Sequence, residues 1–534
     1  MTPAVISLRA GRPPTARRMA SLAAAGRLLR LELKRNAMPY VLPLLAAVFF
    51  FDTVRTAGGF PPVWTVRASA IGDHMLFEFS AFAGGIAAWA GSRERRRKAL
   101  DLVASTPCAA WARLSVTLAG TLGWLLLAFL AGVAAIYIPT ALQATWGGPP
   151  LWPVLAGAAG VIAVTMIGFT CGVAVPGRFT APLVAIGVLV LYQAGFREAL
   201  GLTASSASSG TYALLSPAGA VPSVDAGVYH HVAPDVPAVQ VMFMGGIAVA
   251  LLGVLGLAAA LRQPASAGGL RSLRALLARG DDRLLRAVAA VLVAAGVAAS
   301  WTAYSLAGTA RLTATGWQIP ALHDAAGDRP VPFVPDCTSG PGGFQVCVHP
   351  AFSGYLSEVT AALDPVAAEI AGLPGAPVRA EQVASAGTWP GGYGPSHTAG
   401  NPPVFQYSGE QVGDLFGAFW GIPAGDWPDW RAGFQQGLLD SFLAEPPHPA
   451  AAVRTGPAPL GAAQQAVEDG LMIAAGSQPP LRIGQRGQSG GPSRAQITAA
   501  ASRFASLPAS ARHAWLAAHL AALRAGTITA AQIP

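Results

Sequence analysis

The sequence predicts an all-α polytopic membrane protein that carries a water-soluble domain toward its C-terminal end. Three observations predict it. Hydrophobic residues make up 53% of the 534-residue chain and charged residues only 11%, where a soluble globular protein carries about a quarter charged residues. The deficit is uneven: every residue from Leu114 to Val175 is uncharged, whereas the stretch from Arg311 onward has an ordinary soluble composition. The basic residues gather in short clusters beside the apolar runs. Membrane topology places them so, and together with the aliphatic spans this argues against nucleic acid as the reason for a net charge of +9. Lys34 and Lys98 are the only lysines among 35 basic residues, and Ala, Gly and Pro abound. That composition reads as a GC-rich bacterial genome.

Residues 1–36 read as a cytoplasmic tail and an interfacial helix. In Thr15–Asn36, Leu22, Leu29 and Leu33 share a helical face bordered by Arg18, Arg27, Arg30 and Lys34. Such a helix lies flat in the headgroup region. The first apolar run begins too late for a cleavable signal peptide, and no small-residue cleavage site follows it. Met19 is a second candidate start.

A helix crosses the hydrocarbon core with about 20 mainly apolar residues. Seven segments are candidates: Ala37–Val54, Met75–Gly91, Leu114–Ile138, Pro153–Val175, Thr180–Phe196, Val239–Leu261 and Val288–Ala307. The organisation that follows is six spans over residues 37–261, a basic cytoplasmic linker over 262–287, a seventh span over 288–307 and an extracytoplasmic domain over 308–534. Asp52 and Glu78 are the ionisable residues within these spans, near outer ends where Arg55 or Arg67 is in reach. Coupling to protons or sodium calls for more than that.

Loop charge sets the orientation. The N-terminal tail, the loops after the second and fourth spans and the linker after the sixth together hold 21 of the 35 basic residues but five of the 26 acidic ones. A cytoplasmic N-terminus and an odd number of spans put all of these on one side and the C-terminal domain outside. Cys337 and Cys347 lie close together in the Gly-rich stretch CTSGPGGFQVC. A disulfide persists outside the cytoplasm, so the same threading predicts a Cys337–Cys347 bridge. Cys108, at the cytoplasmic edge, and Cys171, within a span, are expected to stay unpaired. Gly168 and Gly172 form a G-x-x-x-G pair suited to close helix contact, and a dimer interface is one place for it.

The loop between the second and third spans reads Ser92-Arg-Glu-Arg-Arg-Arg-Lys-Ala-Leu-Asp-Leu-Val-Ala-Ser-Thr-Pro107. A charged run, an acidic-leucine helix and a Thr-Pro pair follow one another there. With six spans behind an interfacial helix, this resembles the permease subunit of type-2 ABC exporters. Asp101, Leu102, Thr106 and Pro107 match that family's loop, while Lys98-Ala99 stands where it usually has Gly-Thr. The resemblance implies a six-helix exporter-permease bundle. It implies that Arg93, Glu94, Arg95, Arg96 and Arg97, with the four matching residues, form a coupling helix against a separate ATP-binding-cassette ATPase. It also implies a permease homodimer or heterodimer, and short re-entrant helices closing an outer gate in Arg197–Ala238. The chain itself has no G-x-x-x-x-G-K-[ST] phosphate loop, since neither lysine follows a glycine.

Helical periodicity runs through Phe352–Leu373, Arg494–Leu507 and Ala509–Ala525, with Gly526 as a stop. The extracytoplasmic domain is therefore expected to be mainly α. Gly387–Pro423 carries turn signals and scattered aromatics, and Gly484–Gly491 reads as a linker. No H-E-x-x-H is present. Ser489 in G-Q-S-G-G lacks the apolar strand that a nucleophile elbow needs. No catalytic residue, metal ligand or cofactor is assigned. The functional expectation is an exporter permease, not itself an enzyme, moving an amphipathic or lipid-like substrate across the bacterial plasma membrane. The alternative is a membrane-anchored cell-envelope binding module or enzyme.

Overall fold

The computed structural model describes residues 26–34, 62–96, 110–204, 211–216, 227–261, 273–313, 316–384, 397–408, 428–444, 460–479 and 493–534, with isolated positions between 41 and 53. Most of the expected first span, the linker Gly484–Gly491 and most of Gly387–Pro423 lie outside them.

The N-terminal half is helical: α1 (Trp64–Ala70), α2 (Leu76–Gly91), α3 (Arg93–Arg96), α4 (Ala110–Gln143), α5 (Leu151–Ala174), α6 (Thr180–Ala204), α7 (Thr211–Leu215), α8 (Asp235–Leu261) and α9 (Leu273–Ala307). Among the described residues, four helices are long and apolar enough to cross a membrane: Trp111–Gln143, Leu151–Ala174, Asp235–Ala260 and Arg283–Ala307. They contain the third and seventh expected spans and all but the last residue of the fourth and sixth. The fifth is the shorter apolar stretch of α6, Thr180–Gly195. The chain is thus membrane-associated by the length and composition of its helices.

Three boundaries differ from expectation. α1 runs into α2 through a π-helical turn, Ile71–Met75, so one helical rod extends from Trp64 to Gly91. At ~1.5 Å per residue it is about 40 Å long. α9 begins at Leu273, so the second half of the basic linker continues into the seventh span. α6 reaches Ala204, so Gly201 lies inside a helix. The loop that follows contributes one short helix among its described residues, α7, whose Leu214 and Leu215 are buried against Val236, Val239, Ala303 and Ala307.

Backbone-to-backbone contact joins the helices in two pairs. A Cβ added at Gly168 or Gly172 of α5 would overlap the carbonyls of Gly84 and Ala88 on α2, and one at Gly91 would overlap that of Phe169. The same holds between α8 and α9, where Gly246 and Gly253 meet Gly296 and Ala289. Without a hydrophobic drive between helices in lipid, small residues that admit dispersion contact supply the attraction.

The C-terminal half is mainly helical among its described residues but adds strands that were not expected. A two-stranded hairpin, β1 (Arg311–Thr313) and β2 (Gly316–Gln318), follows α9 directly. Then comes a mixed five-stranded sheet of β3 (Asp336–Ser339), β4 (Gln345–Val348), β5 (Arg379–Val383), β6 (His397–Ala399) and β7 (Val404–Ser408), in the order β3-β4-β5-β7-β6. β4 and β5 run parallel, joined by α10 (Leu356–Ile370), because parallel neighbours need a crossover of about a dozen residues or more. Four further helices cover the core: α11 (Pro428–Leu443), α12 (Ala462–Ala474), α13 (Arg494–Ser506) and α14 (Ala509–Arg524). Val346, Val348, Phe405 and Tyr407 of the sheet are buried with Leu363, Leu439, Val467 and Leu516 of the helices. α14 ends where Gly526 takes φ +68°. A buried clamp ties α14 to α10: Arg512 Nη2 lies 2.7 Å from Glu369 Oε1, and Arg512 also donates to the carbonyl of Leu507.

Candidate functional site

Two ends of the helical bundle carry its polar and aromatic chemistry. At one end, α3 caps the α2 rod. Arg93 makes a two-pronged bond to Glu32, from Nη1 to Oε1 at 2.6 Å and from Nη2 to Oε2 at 3.1 Å, and its Nη2 reaches Thr117 Oγ1 at 3.3 Å. Such forked, charge-assisted pairs fix geometry as well as adding energy. Glu94 faces Arg113 Nε at 3.5 Å. Arg96 stacks 3.2 Å from the centroid of Trp89 and donates to Ser92 Oγ and the Trp89 carbonyl. Arg95 is exposed. Residues 26–34 are helical, with Arg27, Arg30 and Lys34 exposed and Leu29, Glu32 and Leu33 half-buried. Trp124 Nε1 of α4 donates to the Leu33 carbonyl at 3.1 Å. The N-terminal helix, α3 and α4 are therefore braced together. Arg97, Asp101, Leu102, Thr106 and Pro107 lie outside the described residues.

Gly168 and Gly172 sit in the α2–α5 contact of a single chain. Their surface is occupied there, so it is not the dimer face considered from the sequence. Cys337 and Cys347 face each other across the β3–β4 hairpin at disulfide distance, with Cα atoms 4.1 Å apart. Cys171 is free.

At the opposite end, the sheet domain rests on the bundle. Thr145 Oγ1, just past α4, donates to the Pro350 carbonyl at 2.8 Å. The next residue, Trp146, meets the His349 ring edge-on at 4.8 Å, and Tyr229 and Phe333 close around that ring at 4.8 and 4.2 Å. His349 is fully buried. Its Nδ1 accepts from the Ala351 N–H, and its Nε2 has no hydrogen-bonding partner among the described residues. Burial pushes its pKa down to about 4, because the apolar box penalises the imidazolium. It stands as a neutral ring carrying its proton on Nε2.

Beside this box lies an apolar cavity of about 110 Å³, partly open and lined by Val63, Trp64, Trp146, Trp152, Val228 and Val232. Trp64 packs edge-on to Tyr137 at 5.5 Å, and Tyr137 donates to the Pro150 carbonyl at 2.7 Å. A closed apolar cavity of about 150 Å³ holds a benzene ring, so this one has room for a small ring or the end of an alkyl chain.

The sequence reading missed two features here. Drawing the second span from Met75 cut off Asp73 and His74, which the structure puts inside the α1–α2 rod, on the π turn, roughly 14 Å from its Trp64 end. π turns inside helices are rare and often functional. The five residues IGDHM ahead of an apolar run were the available signal. The His349 box could not have been found, since its rings come from residues 146, 229, 333 and 349. No family model, curated protein or solved structure matches the chain.

Proposed function

We propose that this chain is the membrane-spanning permease subunit of an ATP-driven ABC exporter of the bacterial plasma membrane. Its N-terminus is cytoplasmic, its sheet domain is extracytoplasmic, and it works as a homodimer or heterodimer with a separate ATPase. The observation that carries the reading is the braced end of the bundle. Arg93–Glu32 and Glu94–Arg113 lock the start of the loop between α2 and α4 to the N-terminal helix and to α4, while Arg95 stays exposed. A rigid push on such a loop passes into the helices instead of being lost in side-chain motion. The tryptophan-lined cavity at the far end has the chemistry for an alkyl or ring group, in keeping with an amphipathic or lipid-like substrate.

Purification of the tagged chain in mild detergent tests the reading. An ATP-binding-cassette protein should co-purify, and Arg95→Glu should weaken its retention. Transport by the chain reconstituted alone, without any ATPase, would refute it. One observation favours a second reading, ion-coupled transport: Asp73 and His74 lie within a membrane-length helix, where ionisable residues usually mark an ion or proton path. On that reading Asp73→Asn abolishes transport that needs no ATP.

A further inference from the structure

The hairpin that follows α9 is pinned to the start of α8 by three polar groups. Asp235, the first residue of α8, is fully buried. Its Oδ2 accepts from the Ile319 N–H at 3.0 Å and lies 3.1 Å from His323 Nδ1. The other nitrogen of His323, Nε2, lies 3.0 Å from Asp328 Oδ2. Asp328 is itself held by Gln318 Nε2, which donates to its Oδ1 at 2.9 Å. Asp235 Oδ1 has no hydrogen-bonding partner among the described residues.

A neutral imidazole has one N–H and one lone pair. Between two carboxylates it can satisfy only one, and the other contact would set lone pair against lone pair. Both contacts become attractive if the trio holds one additional proton, which makes the ring a double donor. Because the groups are coupled, that proton belongs to the trio. The elements packed around it bring few competing charges. Asp235 is the only charged residue of α8, and α7, β2 and the half of α9 beyond Arg286 have none. Arg311 on β1, Asp324 and Arg329 flank the site in sequence. A further titratable group, His230, pairs its backbone with Pro330.

We propose that Asp235, His323 and Asp328 form a proton-operated latch that fastens the extracytoplasmic domain to the outer end of α8 and lets go as the medium turns alkaline. Loss of the proton leaves one of the two carboxylates facing a lone pair, which weakens the closure. Ile319 is then the residue to leave its seat among Leu214, Leu215, Ala303 and Ala307. The hydrogen bond to Asp328, first, and that to Asp235 raise the His323 pKa against the opposing effect of burial. The closed state thus keeps its proton above the ordinary histidine value near 6.5. Between the two pKa values the closed form binds more protons than the open one, so opening grows more favourable as pH rises, by up to about tenfold per pH unit. The latch stands on its own geometry and does not depend on what the chain transports.

Hydrogen exchange at the Ile319 amide, measured on the full chain in nanodiscs from pH 5.5 to 9 and corrected for intrinsic rates, tests it. Protection should be constant at low pH and fall in one step whose onset lies above pH 6.5. His323→Gln should have no such step. Asp328→Asn, which leaves the ring and Asp235 in place, should move the step to lower pH. Protection in the wild type that does not change with pH, a step that survives His323→Gln, or one that Asp328→Asn leaves unmoved would each overturn the proposal.

Discussion

Replacing Gly172 by Ala tests how tightly the bundle is built. The new methyl would sit far inside 3.0 Å of the Ala88 carbonyl on α2. No flexible side chain can yield, because the obstacle is helix backbone. The α2 and α5 axes must separate by about 1 Å, and overpacking of this kind costs about 1–3 kcal/mol. The shift also strips dispersion contacts from Gly84 and Gly168 one turn away, so the upper part of that range applies. Gly187 in α6 is the control, since a Cβ there meets nothing within 4 Å. Ala at that position should be neutral or stabilise by up to about 1 kcal/mol through helix propensity. The assay is the thermal midpoint of the detergent-solubilised chain, read as loss of the monodisperse species on heating. Gly172→Ala should melt several degrees below the wild type and Gly187→Ala at or above it. Equal midpoints for the two variants would refute the close α2–α5 contact.

Three further outcomes follow from other sites. The neutral His349 box should weaken in acid, because an unfolded histidine takes up a proton below about pH 6.5 and the folded one does so only near 4. From pH 7 to 5 the sheet domain should lose about 2 kcal/mol, measured by denaturant unfolding, and His349→Asn should remove that acid-sensitive part of the loss. Glu32→Ala should cost about 1–2 kcal/mol by stranding Arg93 beside Thr117, and the exchanged pair Glu32→Arg with Arg93→Glu should recover part of it in a double-mutant cycle. Reduction of Cys337–Cys347 should lower the stability of the sheet domain by about 2–3 kcal/mol, since the bridge closes a short loop.

The apolar helices were legible because the signal is coarse: some twenty residues without charge leave few alternatives to a bilayer-length helix. Their limits were less so. Hydropathy breaks off at charged residues, so it dropped Asp73 and His74 from α1–α2 and split α9 from its basic N-terminal turns. The sheet was missed for a different reason. Its strands have three to five residues, as in Gln345–Val348 and His397–Ala399, too few for alternation to stand out. Their pairings are long-range and partly parallel, and no local pattern encodes those. Charge clustering identified Arg93 and Glu32 as sharing a side but not as partners. The latch at Asp235 joins residues some ninety positions apart, and nothing near His323 in sequence points to α8.

The account rests on the two ends of the bundle lying on opposite sides of a bilayer. Cysteines placed singly at Val334 and Arg95, both exposed, with Cys108 and Cys171 replaced by serine, measure this through a membrane-impermeant maleimide. Val334→Cys should react in intact cells and Arg95→Cys only after permeabilisation. Reaction of both in intact cells, or the reverse order, would contradict it.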